Sequence, residues 1–233
     1  MKTISSRIEE VLHLFFPHLC VGCGTDGLEK DHLICYECLS SLPKTRFENI
    51  PNNPVEKLFF GRLKIEAAYS EFYFSKGQIL QKLIHDLKYK GNKEMGFFLG
   101  ELMGYSLLDN SRFKNIDLIV PLPMFKDKEL KRGYNQATII ANGISNVLNI
   151  SVNENLISKR KLTATQTRKD RSERWLNVEE SFTIENSELL KGKNILLVDD
   201  VITTGATIEA CGQILLEISQ VKLSVASLAL TMK

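Results

Sequence analysis

The stretch "NILLVDDVITTGAT", residues Asn194 to Thr207, joins an apolar run to two adjacent acids and then to a threonine-rich turn. The apolar run, 195–198, is typical of a short strand buried on both faces inside a parallel sheet. Because an unpaired buried charge is costly, Asp199 and Asp200 are expected where the strand leaves the sheet. Open α/β sheets bind their ligands at this edge. The stretch therefore predicts both a sheet and a binding site.

Strand and helix patterns alternate from about residue 116 onward. Apolar runs predict strands in "IDLIVPLP", "ILLVDD" and "VKLSVASLAL", and helical spacing predicts helices in "NQATIIANGISNVL" and "ATIEACGQILLEIS". This alternation predicts an α/β fold with a doubly wound, mainly parallel sheet. Upstream, "KIEAAYSEFYF" is predicted as a strand in a small hood, followed by an amphipathic helix and a second helix over 93–108.

We divide the chain into an N-terminal subdomain, 1–50, and a main domain, 51–233, with hood and helices at 51–115 and the sheet core at 116–233. The formal net charge is +2, which favours no partner class, although basic residues concentrate in 126–132 and 158–174. No apolar run is long enough to span a bilayer. The apolar residues within 8–15 follow helical spacing and predict an N-terminal helix, and this segment lacks the features of a signal peptide. We therefore expect a cytoplasmic protein without a membrane span.

Four of the five cysteines form two C-x2-C pairs, Cys20 with Cys23 and Cys35 with Cys38. Two such pairs separated by a short loop supply four thiolates that can surround Zn2+ tetrahedrally. The loop between them is too small for a hydrophobic core, so zinc binding would supply the folding energy. Disulfides are disfavoured in a cytoplasmic protein, and a redox C-x-x-C explains only one pair. The fifth cysteine, Cys211, is expected to pack on a helix.

The turn after the two acids has the composition of a phosphate-binding loop. It offers hydroxyls, small side chains and a glycine that lets backbone N–H groups turn inward, in Thr203, Thr204, Gly205, Ala206 and Thr207. The helix predicted behind the turn adds N–H donors and a dipole that favours anions. Carboxylates such as Asp199 and Asp200 can accept hydrogen bonds from sugar hydroxyls or face a hydrated divalent cation. We therefore expect a phosphorylated sugar as the ligand.

Other sites with acids after a strand fit less well. A receiver domain has its acidic pair near the start of the fold, whereas too few residues follow Asp200 for that fold. No G-K-[ST] ending marks a P-loop, and no G-x-G-x-x-G fingerprint follows a strand. A capping aspartate with a threonine-rich turn would explain one acid and one threonine but not the whole set.

The stretch 194–207 resembles the 5-phosphoribosyl 1-pyrophosphate (PRPP) binding motif of type I phosphoribosyltransferases. "RGYNQ" at 132–136, "TQTRKDRSERWLNV" at 165–178 and the cysteine pairs extend the resemblance over the chain to the ComF family, which includes ComFC competence proteins and GntX-like relatives. Tyr134 stands where that family more often has phenylalanine. The resemblance implies a sheet of the type I phosphoribosyltransferase type with an N-terminal zinc-binding subdomain and a hood.

The resemblance also implies site residues. Asp199, Asp200, Arg174 and Arg132 are the catalytic candidates, with Arg174 placed by the family pattern R-x-x-N-V. The candidates for the pyrophosphate region are Pro123, Met124, Lys88, Gln166 and Arg168, with Arg171 nearby. For the basic segments the alternative is a solvated surface, including a charged loop before a helix that Asn135 caps. A lysine on an amphipathic helix, such as Lys88, is also commonly solvated.

Two functions are open at this point. In the first, the chain is an enzyme, a phosphoribosyltransferase that performs pentosyl transfer from PRPP with Mg2+ and has structural Zn2+. The resemblance links it to DNA uptake in natural transformation, with competence proteins as candidate partners. In the second, it is a non-catalytic module that binds single-stranded DNA and uses the phosphate pocket as a ligand sensor. In either case the cysteine region could be an architectural lid.

Overall fold

The computed structural model describes residues 18–26, 28, 32–159 and 182–231. The predicted N-terminal helix and the segment 160–181 lie outside these residues. The elements in chain order are α1 (Tyr36–Ser40), α2 (Pro54–Lys57), β1 (Ala67–Phe74), α3 (Ile79–Tyr89), α4 (Lys93–Leu107), β2 (Leu118–Pro121), α5 (Lys126–Arg132), α6 (Gln136–Leu148), β3 (Ile157–Lys159), β4 (Phe182–Ile184), β5 (Asn194–Ile202), α7 (Ala206–Leu216) and β6 (Lys222–Thr231), with 3-10 turns at Phe47–Asn49 and Ser187–Leu190.

A four-stranded sheet in the order β1-β6-β5-β2 forms the centre of the molecule. All its strand pairs are parallel. Val152 continues the sheet beyond β2 through a single parallel bridge to Ile119. The apolar run 195–198 of β5 is fully buried, as expected of a strand covered on both faces. The structure thus confirms the predicted α/β fold with a parallel sheet.

The order of the strands determines where the helices lie. The connection from β1 to β2, which contains α4, and the connection from β2 to Val152, which contains α6, step across the sheet in the same direction. Parallel connections are almost always right-handed, so α4 and α6 share one face of the sheet. The connection from β5 to β6 steps the opposite way and puts α7 on the other face. The sheet is therefore doubly wound. No helix among the described residues is long and apolar enough to cross a membrane.

Two local expectations differ from the structure. The strand predicted in the hood, β1, pairs with β6 and forms an edge of the main sheet. Its partner is the last strand of the chain, so local sequence could not reveal the pairing. The basic stretch 126–132, for which a solvated loop was the alternative, is helix α5, which ends at Gly133 with a φ of 81°. Asn135 does cap α6, since its Oδ1 accepts a hydrogen bond from the Ala137 N–H at 3.1 Å. The domain boundaries stay a prediction.

Helices α4 and α6 approach each other until their backbones touch. Helix α4 carries a glycine at every fourth position, and a Cβ atom added to Gly100 would lie 2.2 Å from the Ile140 carbonyl oxygen. A Cβ atom on Gly143 of α6 would lie 2.1 Å from the Phe97 carbonyl oxygen. No side chain fits between the helices at these two positions. The glycines thus set the position of α6, whose N-terminal end borders the candidate site described below.

In Gly100→Ala the added methyl group must push two backbones apart, which should cost about 1–3 kcal/mol of unfolding free energy. We expect this cost to exceed the gain of about 1 kcal/mol that alanine brings as a better helix former, so the variant should be less stable than the wild type. Urea denaturation measures the difference. Tyr105→Ala on the exposed side of the same helix is the control and should change stability by less than about 0.5 kcal/mol. A Gly100→Ala protein as stable as the wild type would contradict the contact.

Candidate functional site

The paired acids lie where β5 loses one of its two neighbours. Pairing with β2 ends at Val198, whereas pairing with β6 continues to Ile202. The sequence placed the end of the strand before the acids, but the strand continues through them on one side only. Asp199 and Asp200 are consequently half-buried at the carboxyl edge of the sheet. The Asp200 backbone N–H donates to Asp199 Oδ1 at 2.8 Å.

The surroundings of Asp199 alter the pKa of its carboxyl group. Burial, and next the negative charge of Asp200, raise the pKa of Asp199 to about 7. Lys88, at the end of α3, places its Nζ atom 2.7 Å from Asp200 Oδ2. The assignment of Lys88 to the pyrophosphate region stays a prediction, and in the structure its ion-pair partner is an acid. A bound ligand or cation would therefore have to share Asp200 with this lysine.

The predicted phosphate loop turns sharply into α7. Gly205 caps the helix with a φ of 76°, and a Cβ atom there would lie 2.9 Å from the Phe59 ring. Glycine is therefore needed for the backbone conformation and for the close approach of the buried ring. The first N–H groups of a helix lack intrahelical partners and are available to an anion. Thr203 and Thr204 of this turn are exposed.

Two residues that the sequence did not single out support this turn. Phe59 is fully buried beneath it. Arg62 donates to the Thr204 carbonyl oxygen at 3.4 Å and forms an ion pair with Glu209 in the first turn of α7. Both residues belong to a segment far upstream in the chain. Only the folded structure connects them with the loop.

A cavity of about 170 Å³ adjoins the acids. The predicted site residues that line it are Lys88, Pro123, Met124, Arg132, Asp199, Asp200 and Thr207. It is also lined by Lys128, Gln136 and Lys159, which the sequence did not predict. A second cavity of about 270 Å³ shares Pro123, Met124 and Lys159 with the first. A larger cavity of about 710 Å³, between residues 32–39 and α4, contains none of the predicted site residues. Gln166, Arg168, Arg171 and Arg174 lie outside the described residues.

The turn after β2 is held firmly against the site. The Leu122 N–H donates to the Val198 carbonyl oxygen at 2.8 Å. Asn135, the cap of α6, donates from Nδ2 to the Leu122 carbonyl oxygen at 3.0 Å. Arg132 is oriented by a hydrogen bond from Nη1 to Gln136 Oε1 at 2.6 Å. The same segments that supply Pro123 and Arg132 therefore fix the wall of the cavity.

The four paired cysteines converge. Their sulfur atoms all lie within 4.8 Å of one another, and the Sγ atoms of Cys23 and Cys35 are 3.8 Å apart. Tetrahedral zinc with a Zn–S distance of about 2.3 Å implies sulfur separations of about 3.8 Å. Burial tends to raise the pKa of Cys20, but hydrogen bonds from the backbone at Cys35, Cys23 and Gly22 outweigh it and lower the pKa to about 6. Burial raises the pKa of Cys38. The thiol set fits a metal such as zinc.

The cysteine cluster packs on α3. The Lys82 Nζ atom donates to the Gly22 carbonyl oxygen at 2.6 Å, and a Cβ atom on Gly22 would lie 2.5 Å from Ile79 Cδ1. The other end of α3 carries Lys88. The Tyr134 hydroxyl donates to the carbonyl oxygen of Leu87 at that end, so the tyrosine is tied to the same helix.

Comparison with known proteins gives consistent matches. Residues 130–232 match the model of the phosphoribosyl transferase domain. DNA utilization protein YhgH of Escherichia coli is 27% identical over 201 residues, which cover 85% of this chain and 78% of that protein. Competence protein F of Haemophilus influenzae is 29% identical over 222 residues, 94% of this chain and 93% of its own. Competence protein ComFC of Bacillus subtilis is 26% identical over 205 residues, 86% and 72% of the two chains.

A solved structure, adenine phosphoribosyltransferase from Thermoanaerobacter pseudethanolicus, is similar with a TM-score of 0.38 and 15% identity, covering 76% of this chain and 99% of that one. The domain match includes the two acids, the turn and α7. The competence relatives match over most of their own length and of this one. Residues 130–232 are therefore similar to phosphoribosyl transferase domains, and the chain is similar over most of its length to ComF-type competence proteins.

Proposed function

We propose that this protein binds PRPP, or a closely related ribose phosphate, together with Mg2+, and transfers the phosphoribosyl group to an acceptor. The observation that carries the proposal is the pair of half-buried acids placed directly before the N-terminal end of α7 and lining a cavity rich in cations. The names of its relatives, DNA utilization protein and competence protein, support a role in the uptake and processing of DNA.

Each part of the site suits one part of PRPP. The N–H groups at the start of α7, with Thr203, Thr204 and Thr207, would bind the 5-phosphate. Asp199 and Asp200 would accept hydrogen bonds from the ribose hydroxyls and hold the ring in a productive orientation. Arg132 would face the pyrophosphate. Bound Mg2+ would neutralise charge on the phosphate oxygens and on the leaving pyrophosphate.

Removing one acid tests the ligand assignment. We expect Asp200→Asn to lower the affinity for PRPP in the presence of Mg2+ by at least about tenfold, because a carboxylate that holds ribose and cation becomes a neutral amide. Isothermal titration calorimetry with and without Mg2+ measures it. Asp109→Asn is the matched control, since Asp109 is exposed and has a positive φ that asparagine tolerates. Equal affinities for wild type and Asp200→Asn would refute the assignment.

The raised pKa of Asp199, about 7, predicts a pH dependence of binding. Below that pH the carboxyl group is protonated and neutral, so affinity for Mg2+ with PRPP should rise from pH 6 to 7 and level off above about pH 7.5. The ligand's own phosphate ionises near pH 6, as phosphate monoesters do. Asp199→Asn retains the effect of phosphate ionisation and serves as the control. Its affinity for the ligand should change less with pH between 6.5 and 7.5 than that of the wild type. Identical profiles for the two proteins would contradict the prediction.

A second candidate function has its own support. Tyr89 is 66% exposed, its ring lies 5.0 Å from that of His85, and the guanidinium of Arg132 lies 5.4 Å from it. An exposed ring beside cations can stack the bases of single-stranded DNA. Pyrophosphate release from PRPP with any acceptor favours the enzyme. Salt-sensitive DNA binding that survives loss of both acids, without pyrophosphate release, favours the binding module.

We further propose that the cysteine cluster binds one structural Zn2+. Four converging thiols are stabilised by a metal that each can ligate as thiolate. We expect the purified protein to contain one zinc per chain and to lose at least about 5 °C of thermal stability on chelation. Cys23→Ser should abolish zinc binding, and Cys211→Ala should not, because Cys211 is buried on α7. Elemental analysis decides, and a zinc-free wild type with unchanged melting would overturn the assignment.

A further inference from the structure

Lys159 occupies a position that is fixed from two sides. It is the last residue of β3, where it pairs with Phe182 of β4, and it forms a separate parallel bridge with Phe125, which follows the Pro123–Met124 turn. Its Nζ atom lies 4.6 Å from the centre of the Phe125 ring and 5.0 Å from that of Phe182. The backbone pairings of Lys159 with Phe182 and Phe125 thus bring its ammonium group close to both aromatic rings.

This cation is half-buried and lines both of the adjoining cavities. Burial, and next the nearby charge of Lys128, lower its pKa. Within the described part of the chain, no carboxylate forms an ion pair with Lys159. Cation–π contacts stabilise a desolvated ammonium by much less than the free energy that removing an isolated charge from water costs. The charge of Asp199 acts on the ammonium group from a distance and partly opposes the lowering of its pKa, but among the described residues no carboxylate contacts it directly.

The groups around Lys159 indicate which anion would bind to its ammonium group. The cavity that Lys159 lines also contains Asp199, Asp200 and Thr207, where the proposed function places the ribose and the 5-phosphate. Phe125 attaches Lys159 to the turn containing Pro123 and Met124, which forms another wall of the same cavity. Lys128 lies close enough to Phe125, with Nζ 5.9 Å from the ring centre, to add a second positive charge. A multiply charged anion attached to the ribose matches this wall.

We propose that Lys159 binds the pyrophosphate group of PRPP and stabilises the charge that this group gains as it leaves. The inference rests on the proposed function. In the reaction, the bond between C1 of the ribose and the pyrophosphate oxygen breaks, and its electron pair stays on that oxygen. A lone pair of the acceptor forms the new bond to C1, and the acceptor loses a proton to solvent. Lys159 remains protonated throughout and interacts with the oxygen that becomes negative.

The two rings explain how a cation can be held without being neutralised. A carboxylate partner would fix Lys159 equally well but would compete with the pyrophosphate for it. The faces of Phe125 and Phe182 attract the ammonium through their quadrupoles and leave its N–H donors available. Phe125 and Phe182 are thus positioning residues, and Lys159 is the group that contacts the ligand.

The test compares two ligands with full-length protein and Mg2+, using isothermal titration calorimetry for pyrophosphate and for ribose 5-phosphate separately. We expect Lys159→Gln to weaken pyrophosphate binding by at least about tenfold and ribose 5-phosphate binding by less than about twofold. Lys159→Arg keeps the charge and should recover part of the loss. Lys131→Gln, on the exposed side of α5, is the matched control and should change neither affinity. Circular dichroism and melting curves establish that each variant is folded.

The possible results distinguish a failure of the proposed role of Lys159 from a failure of the proposed function. Wild type that binds neither ligand overturns both. Wild type that binds both ligands, with Lys159→Gln binding pyrophosphate equally well, overturns only the role of Lys159. Equal losses for both ligands would also overturn it, since they indicate a general effect on the site. If Lys159→Gln does not fold, Phe182→Leu, which removes one ring and keeps apolar bulk, should weaken pyrophosphate binding by about threefold and spare ribose 5-phosphate; unchanged pyrophosphate binding would count against the proposal.

Discussion

One-sided pairing of β5 is the constraint on which the rest of the site depends. Residues up to Val198 have a neighbouring strand on each side, and the residues beyond have only β6. The strand can therefore continue in a fixed conformation while its outer side opens toward a cavity. Asp199 and Asp200 occupy the positions where this change happens, so they are held rigidly and remain accessible. A fully paired strand would bury two charges, and a loop would not hold them in one geometry.

A second constraint is the contact between α4 and α6, which fixes the position of the turn beside the acids. The glycine contact between α4 and α6 leaves no room for the helices to slide, because backbone atoms meet backbone atoms. The cap of α6, Asn135, is also the residue that holds the Leu122 carbonyl oxygen and so the turn after β2. A position set deep in the helical layer thereby determines the wall of the ligand cavity. Packing and binding share the same residues.

The sequence predicted those features that local patterns encode. The buried run of β5, the turn at Gly205 and the convergence of the cysteine pairs follow from residues close together in the chain. Other contacts join segments that are far apart in the chain, so no local pattern predicts them. These are the ion pair between Lys88 and Asp200 and the contacts of Lys159 with the rings of Phe125 and Phe182. The placement of β1 in a hood was wrong for the same reason, since its parallel partner is the last strand. Helix α5 was not predicted because it has no buried face.

Helix α3 connects the cysteine cluster to the acids. Lys82 near its start bonds to the cysteine turn and Lys88 near its end bonds to Asp200, about 9 Å apart along the axis at the usual helical rise. Two ligands that both select one position of a rigid element are thermodynamically linked, and the linkage is reciprocal. By this linkage, any gain in sugar-phosphate affinity provided by a metal at the proposed zinc site would equal the gain in metal affinity provided by the bound sugar phosphate. If both proposed ligands bind, chains with the sugar phosphate in place would keep their zinc down to a lower concentration of free zinc.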